Sequence, residues 1–152
     1  MKHIKRTVAI FFVLIMVVSM SATVFAANTT NTEFTNFFVE DWDENRLTPR
    51  EKMDSSSHYF TYTTGAPVTV RVVSYGTTTH TTTGGANVTY SNGQTVSYVA
   101  CRRGTQYNVH NLVNERGYTW ASLGLMTLYT SMGDISGMWS PDSVGTYISA
   151  RP

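Results

Sequence analysis

The sequence has 152 residues, of which 11 are lysine or arginine and 10 are aspartate or glutamate. This near balance argues against nucleic-acid binding, which needs a concentrated basic face. The single cysteine, Cys101, excludes a disulfide within the chain, so hydrophobic burial must hold the fold without one.

Residues 1–26 have the pattern of a Sec-type signal peptide. They begin with basic residues and continue with an apolar run at residues 8–18. Val24 and Ala26 then provide small residues at the −3 and −1 positions of a cleavage site. We therefore predict cleavage after Ala26 and a secreted protein that meets the membrane only through its leader. An uncleaved anchor is the alternative. Cleavage removes three basic residues, which takes the formal charge from +1 to −2.

The rest of the chain divides into a polar, acidic N-terminal segment at residues 27–52 and a β domain at residues 53–152. Within the first part, the apolar residues between 34 and 39 suit one edge strand or a short docking segment. The charged stretch at residues 40–52 contains Pro49, which stops regular structure, and we predict a surface loop there.

Residues 68–75 have the clearest strand pattern, because valine recurs at every second position. Residues 58–63 alternate more weakly. The segment at residues 65–67, with its glycine and proline, is typical of a hairpin connection between the two. The valines predicted to share one face are Val68, Val70 and Val72.

Asn92 and Gly93 are a strong signal for a turn between two strands. A three-residue loop that also includes Ser91 keeps the large flanking side chains on one face, whereas a two-residue loop does not. We therefore predict the three-residue loop. The side chains in question are Val88, Tyr90, Val96 and Tyr98.

Residues 105–117 fit two structures. Val109, Leu112 and Val113 have helical spacing, whereas alternate residues from Tyr107 onward have strand spacing. We favour a strand at residues 105–111 followed by a tight loop.

Residues 117–139 are predicted to form the centre of the fold. Apolar residues at every second position indicate a strand with one buried face. A loop at residues 130–133 and a return strand at residues 135–139 follow, and Trp139 at its end is predicted to fill the core. The alternating apolar residues are Ala121, Leu123 and Leu125.

Strand and turn residues dominate the chain after the leader. With the segments above, they predict an all-β, single-domain antiparallel β-sandwich of about seven or eight short strands. A closed barrel is the alternative.

Cys101 is the obvious candidate for a nucleophile, with His110 or His80 as its base and Arg102 and Arg103 favouring a thiolate. No recognisable catalytic signature surrounds it, and the residues before it continue a strand pattern. We therefore predict that Cys101 is a small buried hydrophobic residue and assign no catalytic residue.

Asp41, Asp43 and Asn45 have the first spacings of a calcium-binding loop. Arg46 and Lys52 stand where that loop needs glycine and glutamate, so the motif is not present. The histidines share no metal-ligand spacing either. The sequence therefore predicts no metal and no cofactor.

Aromatic residues are the remaining candidates for a binding site, because a flat ring stacks well on a sugar ring. Trp120 is expected on the face of its strand opposite Ala121. Tyr118 and Trp42 are the further candidates. The expected partner is a glycan or a protein of the cell envelope.

Four short motifs resemble a family of small secreted proteins of Gram-positive bacteria. They are Lys52-x-Asp54-x-Ser56-Ser57-x-Tyr59, Asn111-x-x-Asn114-Glu115-x-Gly117-Tyr118, Ala121-x-Leu123 and Ser136-Gly137-Met138-Trp139-Ser140-Pro141-Asp142-Ser143. The Trp-Ser-Pro-Asp-Ser end is the most specific of them. That family is uncharacterised, so the resemblance implies export and assigns no site residue. The overall plan is also similar to lactococcin-type bacteriocins.

We therefore expect a secreted, non-enzymatic β domain that acts by surface binding at or outside the cell envelope. A bacteriocin-like effector is the first alternative. A cell-wall hydrolase that uses Cys101 and His110 is the alternative from another class.

Overall fold

The computed structural model describes residues 27–41, 43–128 and 131–152. The predicted leader and Trp42 lie outside these residues. The described residues form no helix, and therefore none with the length and hydrophobicity that crossing a membrane requires. Their strands are β1 (Thr32–Val39), β2 (Asn45–Arg46), β3 (Arg50–Glu51), β4 (His58–Gly65), β5 (Thr69–Thr77), β6 (Ala86–Asn87), β7 (Tyr90–Ser91), β8 (Gln94–Thr95), β9 (Val99–Arg102), β10 (Tyr107–Val109), β11 (Trp120–Thr127), β12 (Gly133–Ser140) and β13 (Ile148–Ser149).

Two sheets make up most of the fold. Sheet I has the strand order β1-β12-β4-β10-β13. Sheet II has the order β2-β11-β5-β6, with β3 also paired to β11 and β9 also paired to β5, while β7 and β8 form a separate hairpin. Among the described strands, only β10 and β13 pair in parallel. The predicted all-β, sandwich-like architecture is thus confirmed, because the strands form separate sheets rather than one sheet closed on itself.

The core lies between the two sheets, where alternation turns every second side chain of each strand inward. In β11, Ala121, Leu123 and Leu125 are fully buried, as predicted. Trp139, near the end of β12, is only 2% exposed and fills the core as expected. Further core side chains are Phe34, Phe60, Tyr62, Val70, Val72 and Val109.

Residues 27–52, which the sequence sets apart from the β domain, contribute strands to both sheets. β1 pairs with β12 at the edge of sheet I, so the predicted edge strand is confirmed. β2 and β3 pair with β11 in sheet II, and both Leu47 and Lys52 are buried. The predicted surface loop at residues 40–52 therefore needs correction, because this stretch contains two short strands of sheet II. Pro49 lies between these strands and interrupts the pairing only there.

The connection at residues 65–67 does not close a hairpin, which corrects the sequence prediction. β4 belongs to sheet I and β5 to sheet II, so the chain crosses between the sheets here. Val68 lies before β5 and is 54% exposed, whereas Val70 and Val72 are fully buried. The alternation holds only within the hydrogen-bonded ladder, and Val68 stands outside it.

The predicted three-residue loop at residues 91–93 is also wrong. The turn has two residues, and φ values of 51° at Asn92 and 83° at Gly93 match a type I′ turn. The prediction assumed that Val88 belongs to the hairpin face. Instead, the Val88 N–H donates to the Ser74 carbonyl of β5 at 2.9 Å, so sheet II decides its burial. The pairs that flank the turn are Tyr90–Thr95 and Ser91–Gln94.

The favoured structure for residues 105–117 is confirmed. β10 spans Tyr107–Val109, and Asn111 continues it with an isolated bridge to Thr89. Residues 113–117 then form a turn rather than a helix. The pairing of β10 with β4 decides between strand and helix, because the hydrogen bonds of the sheet require residues 107–109 to be extended.

Candidate functional site

Trp120 begins β11 and points away from the core. It precedes the buried Ala121, as predicted, and its own side chain is partly exposed. The exposed His80, from the loop after β5, packs its ring edge-on against the indole. The two centroids are 4.9 Å apart and the ring planes meet at 79°. His80 therefore supports Trp120 while part of the indole stays open to solvent.

Tyr118 lies on the other side of sheet II. Its ring covers Gly76, where an added Cβ atom would overlap it. Gly76 pairs with Ala121, whose side chain is buried, so the Tyr118 ring packs on the core side of the sheet. The structure thus separates Tyr118 from Trp120, and Trp42 lies outside the described residues.

Tyr75 places a second ring on the outer side of sheet II. It stands two residues before Thr77, which pairs with Trp120. The guanidinium of Arg46 lies 3.4 Å from the Tyr75 ring centroid. The Glu44 carboxylate accepts hydrogen bonds from Arg46 Nε at 3.1 Å and from the Tyr75 hydroxyl at 3.0 Å. Desolvation and the neighbouring Glu44 charge raise the pKa of Tyr75, so its hydroxyl stays a donor.

Tyr98, just before β9, supplies the third ring. Arg71 of β5 lies 5.1 Å from its centroid. Arg71 and Tyr75 share one side of β5, since residues four apart in a strand face the same way. We term the three rings Trp120, Tyr75 and Tyr98, with their polar partners, the aromatic face.

Sequence reasoning found Trp120 but missed Tyr75 and Tyr98. The alternation of β5 is the signal that could have found Tyr75, because it faces away from the buried Val70 and Val72. Nothing local links Tyr75 to Arg46, which lies 29 positions earlier and reaches it only after β2 pairs with β11.

The two residues of the hydrolase alternative have different surroundings. Cys101 is fully buried in β9, as predicted, and desolvation raises the pKa of its thiol well above the usual range. His110 is exposed, and its ring nitrogens contact the hydroxyls of Ser57 at 2.8 Å and Ser149 at 3.0 Å. Among the described residues, no hydrogen bond joins the thiol to His110. The arrangement favours a core role for Cys101, because a nucleophilic thiol needs a lowered pKa.

Lys52 and Asp142 form a buried ion pair. The Lys52 ammonium lies 2.5 Å from Asp142 Oδ1 and 3.4 Å from Asp54 Oδ1. Asp142 Oδ2 accepts the backbone N–H groups of Asn28 at 2.6 Å and Met53 at 3.1 Å. The side chains of Lys52 and Asp142 have no exposed surface. We term this pair and its hydrogen bonds the polar clamp, and it ties the start of the described chain to the segment after β12.

His58 lies beside the clamp and is fully buried. Its Nδ1 is 2.7 Å from the Pro141 carbonyl, which can only accept, so Nδ1 carries the proton. Nε2 then accepts from the Ser74 hydroxyl at 2.7 Å. Desolvation, reinforced by the positive charge of Lys52, lowers the pKa of His58 to about 3. The ring is therefore neutral at ordinary pH.

Within residues 27–41, 43–128 and 131–152, no three side chains of the metal-binding types come together in a cluster that suits an ion. Asp41 and Asp43, which have part of the calcium-loop spacing, lie in that range without forming such a cluster. The candidate site therefore consists of rings, guanidinium groups and hydrogen bonds.

A family model described as "Protein of unknown function (DUF2712)" matches residues 22–143 of the chain. The chain belongs to this family. Membership of an uncharacterised family is thus confirmed, whereas the Gram-positive source and the likeness to bacteriocins stay predictions. No curated protein and no solved structure matches the chain.

The DUF2712 match contains both the polar clamp and the aromatic face. Lys52 lies in the first third of the matched range and Asp142 next to its end, and Trp120 lies between them. Strand β13 lies beyond it, and so does Ser149, one of the two partners of His110. Since the family assigns no functional residue, the choice between these features rests on their geometry.

Proposed function

We propose that this chain is an exported, non-enzymatic binding domain that acts at or outside the cell envelope through its aromatic face. The observation that carries the proposal is the grouping of Trp120, Tyr75 and Tyr98 on the outer side of sheet II. Each ring has a polar neighbour, which is His80, Arg46 or Arg71 respectively.

A glycan is the ligand class that this arrangement suits best. Sugar rings offer an apolar face of C–H groups and an edge of hydroxyls. Aromatic side chains with a wet edge offer the complementary pair of surfaces. Successive same-side residues of a strand are about 7 Å apart, so Tyr75 and the Thr77–Trp120 pair form a row along the outer side of sheet II rather than a closed pocket. Within this row Trp120 offers a partly exposed ring, whereas the Tyr75 ring carries the Arg46 guanidinium and offers polar contacts.

The partners of the rings also favour a preorganised surface. Arg46 is held over Tyr75 by Glu44 and by a hydrogen bond from its Nη1 to the Gly84 carbonyl. Less side-chain freedom is then lost on binding, which improves affinity for the same contact area. Export is proposed from the leader pattern, and the absence of an enzymatic role is proposed from the burial of Cys101.

Retention on insoluble peptidoglycan tests the proposal. The chain without its leader is mixed with the polymer, and the bound fraction is measured against protein concentration. Trp120→Ala is expected to weaken retention by about tenfold or more, as for a central aromatic contact. The matched control is Tyr147→Ala, which removes a ring that packs on Tyr59 in the other sheet, 4.8 Å between centroids. Equal retention of the Trp120→Ala variant and the parent would remove the aromatic face as the binding surface.

A further inference from the structure

The polar clamp holds an amine against a carboxyl group, and these are the two groups from which an amide bond is made. Lys52 Nζ lies 2.5 Å from Asp142 Oδ1, and neither side chain has exposed surface. Bulk water is thus kept from both groups, and the fold holds them together at a high effective concentration. Under these conditions a contact between an amine and a carboxyl group can become a covalent bond.

The backbone on both sides of this contact is fixed by hydrogen bonds. The Lys52 N–H donates to the Thr119 carbonyl at 2.9 Å, which attaches Lys52 to the chain just before β11. On the other side, the Ser140 hydroxyl donates to the backbone carbonyl of Asp142 at 2.7 Å. The amine and the carboxyl group therefore stay in place without a further loss of chain freedom at the moment of reaction.

The second oxygen of the Asp142 carboxyl group lies between two hydrogen-bond donors. Oδ2 accepts the backbone N–H groups of Asn28 at 2.6 Å and Met53 at 3.1 Å. Attack of an amine on a carboxyl carbon places negative charge on an oxygen, and two preorganised N–H donors stabilise that charge in the manner of an oxyanion hole. Oδ2 is therefore suited to become the amide oxygen, and Oδ1, which faces the amine, is the oxygen that leaves.

A second carboxylate beside the pair can carry protons. Asp54 Oδ1 lies 3.4 Å from Lys52 Nζ, and the Asp54 carboxyl group also interacts with that of Asp142. The Ser56 N–H donates to Asp54 Oδ1 at 2.8 Å and fixes its position. Asp54 can thus take a proton from the ammonium and return it to the oxygen that leaves, as a general acid–base group does.

We propose that Lys52 and Asp142 condense into an intramolecular isopeptide bond after the chain folds. Lys52 Nζ bonds to Cγ of Asp142, the Cγ–Oδ1 bond breaks, and Oδ1 leaves as water with two of the three ammonium protons. The third proton stays on the amide nitrogen, so atoms and charge balance and no other reagent is needed. The ion pair is the reactant, and the amide is a neutral product whose burial costs less than that of two ions.

The bond would join the two sheets. Lys52 follows β3 of sheet II and Asp142 follows β12 of sheet I, so the link encloses residues 52–142. Cys101 is the single cysteine, so a disulfide within the chain cannot provide such a link. A covalent link of this span restricts the unfolded chain, and it stabilises the fold as a disulfide that closes a long loop does.

Mass spectrometry of the denatured protein tests the proposal. The full chain is expressed, its N-terminus is determined, and its mass is compared with the mass calculated from the sequence. We expect a deficit of one water molecule. Trypsin does not cut after an acylated lysine, so it should release a branched peptide in which residues 51–71 are joined to residues 117–152.

Two results would overturn the proposal. One is the full calculated mass after the folded protein has been kept at neutral pH for days. The other is a water deficit confined to one linear peptide, which is the sign of an aspartate that has cyclised with its own backbone. Both measurements use the parent protein, so neither depends on a variant that folds.

Three variants sharpen the test. Lys52→Arg keeps a positive charge beside Asp142 but has no amine to acylate, so it should keep its full mass, and a water deficit in it would place the bond elsewhere. Asp54→Asn should delay the deficit by about a hundredfold, and an unchanged rate would contradict the role of Asp54. Trp120→Ala should show the same deficit as the parent, so failure here is distinct from failure of the peptidoglycan experiment.

Discussion

The polar clamp and the aromatic face use charge in opposite ways. In the clamp, Lys52 and Asp142 are both fully removed from water and compensate each other. On the aromatic face, Arg46 and Arg71 spread over tyrosine rings and remain partly exposed. A buried ion pair is costly to break and contributes little beyond correct assembly, whereas a partly exposed cation over a ring keeps part of its surface open to a ligand.

This contrast explains why the most specific sequence motif does not mark the candidate binding site. The segments around Lys52 and around Asp142 are two of the four motifs that carry the family resemblance. In the structure they meet in the clamp, where Asp142 also receives the backbone of Asn28 and Met53. Assembly of the fold therefore explains the residue types of these two motifs, and the aromatic face lies outside both of them.

Breaking the clamp is expected to lower stability as much as any change considered, comparably to loss of the core indole of Trp139. Asp142→Asn keeps the shape of the side chain but removes the buried charge partner of Lys52, so that only the more distant and partly exposed Asp54 carboxylate remains beside the ammonium. We expect a loss of about 3–5 kcal/mol in the free energy of unfolding, measured by urea denaturation. Asp54→Asn is the control, because that side chain is 35% exposed and 3.4 Å from Lys52. Comparable losses from the two variants would contradict the assignment of the buried pair.

Acid should weaken the same region through His58. Because its pKa is lowered from 6.5 to about 3 on folding, the unfolded chain takes up the proton first as pH falls. The contribution of the neutral His58 ring to the free energy of unfolding is thus complete above pH 6.5, and it is lost as the pH falls from 6.5 to about 3. The slope is up to about 1.4 kcal/mol per pH unit. Urea denaturation of the parent and of His58→Gln at several pH values checks this, and the same slope in both would contradict it.

The core and the sheets were largely predictable from alternation. Leu123, Leu125 and Trp139 are buried where their spacing places them. The connections were not predictable, because whether residues 65–67 close a hairpin or cross between sheets depends on partners far away in sequence. The same applies to Tyr75, whose ring becomes part of a site only when Arg46 is brought over it.

A chemical test of the core role concerns Cys101. Cys101→Ser buries a hydroxyl in an apolar setting, which we expect to cost about 1–3 kcal/mol of unfolding free energy. Retention on peptidoglycan should stay unchanged below the unfolding transition. Hydrolysis of the cell wall by the parent, together with its complete loss in a folded Cys101→Ser variant, would instead favour the hydrolase that uses Cys101 and His110.

The smallest expected effect on stability is that of Trp120→Ala, and Trp139→Ala is its comparison. Both changes remove an indole from a long strand, but Trp139 is 2% exposed and lies in the core, whereas Trp120 is partly exposed and touches His80. We expect Trp139→Ala to cost about 3–5 kcal/mol of unfolding free energy and Trp120→Ala less than about 1 kcal/mol. Urea denaturation followed by far-ultraviolet circular dichroism measures both.

A large loss of unfolding free energy for Trp120→Ala would mean that this indole holds β11 in place. The weaker retention of Trp120→Ala on peptidoglycan would then reflect unfolding rather than the loss of a contact with the ligand. The retention experiment identifies a binding residue only if the variant stays folded.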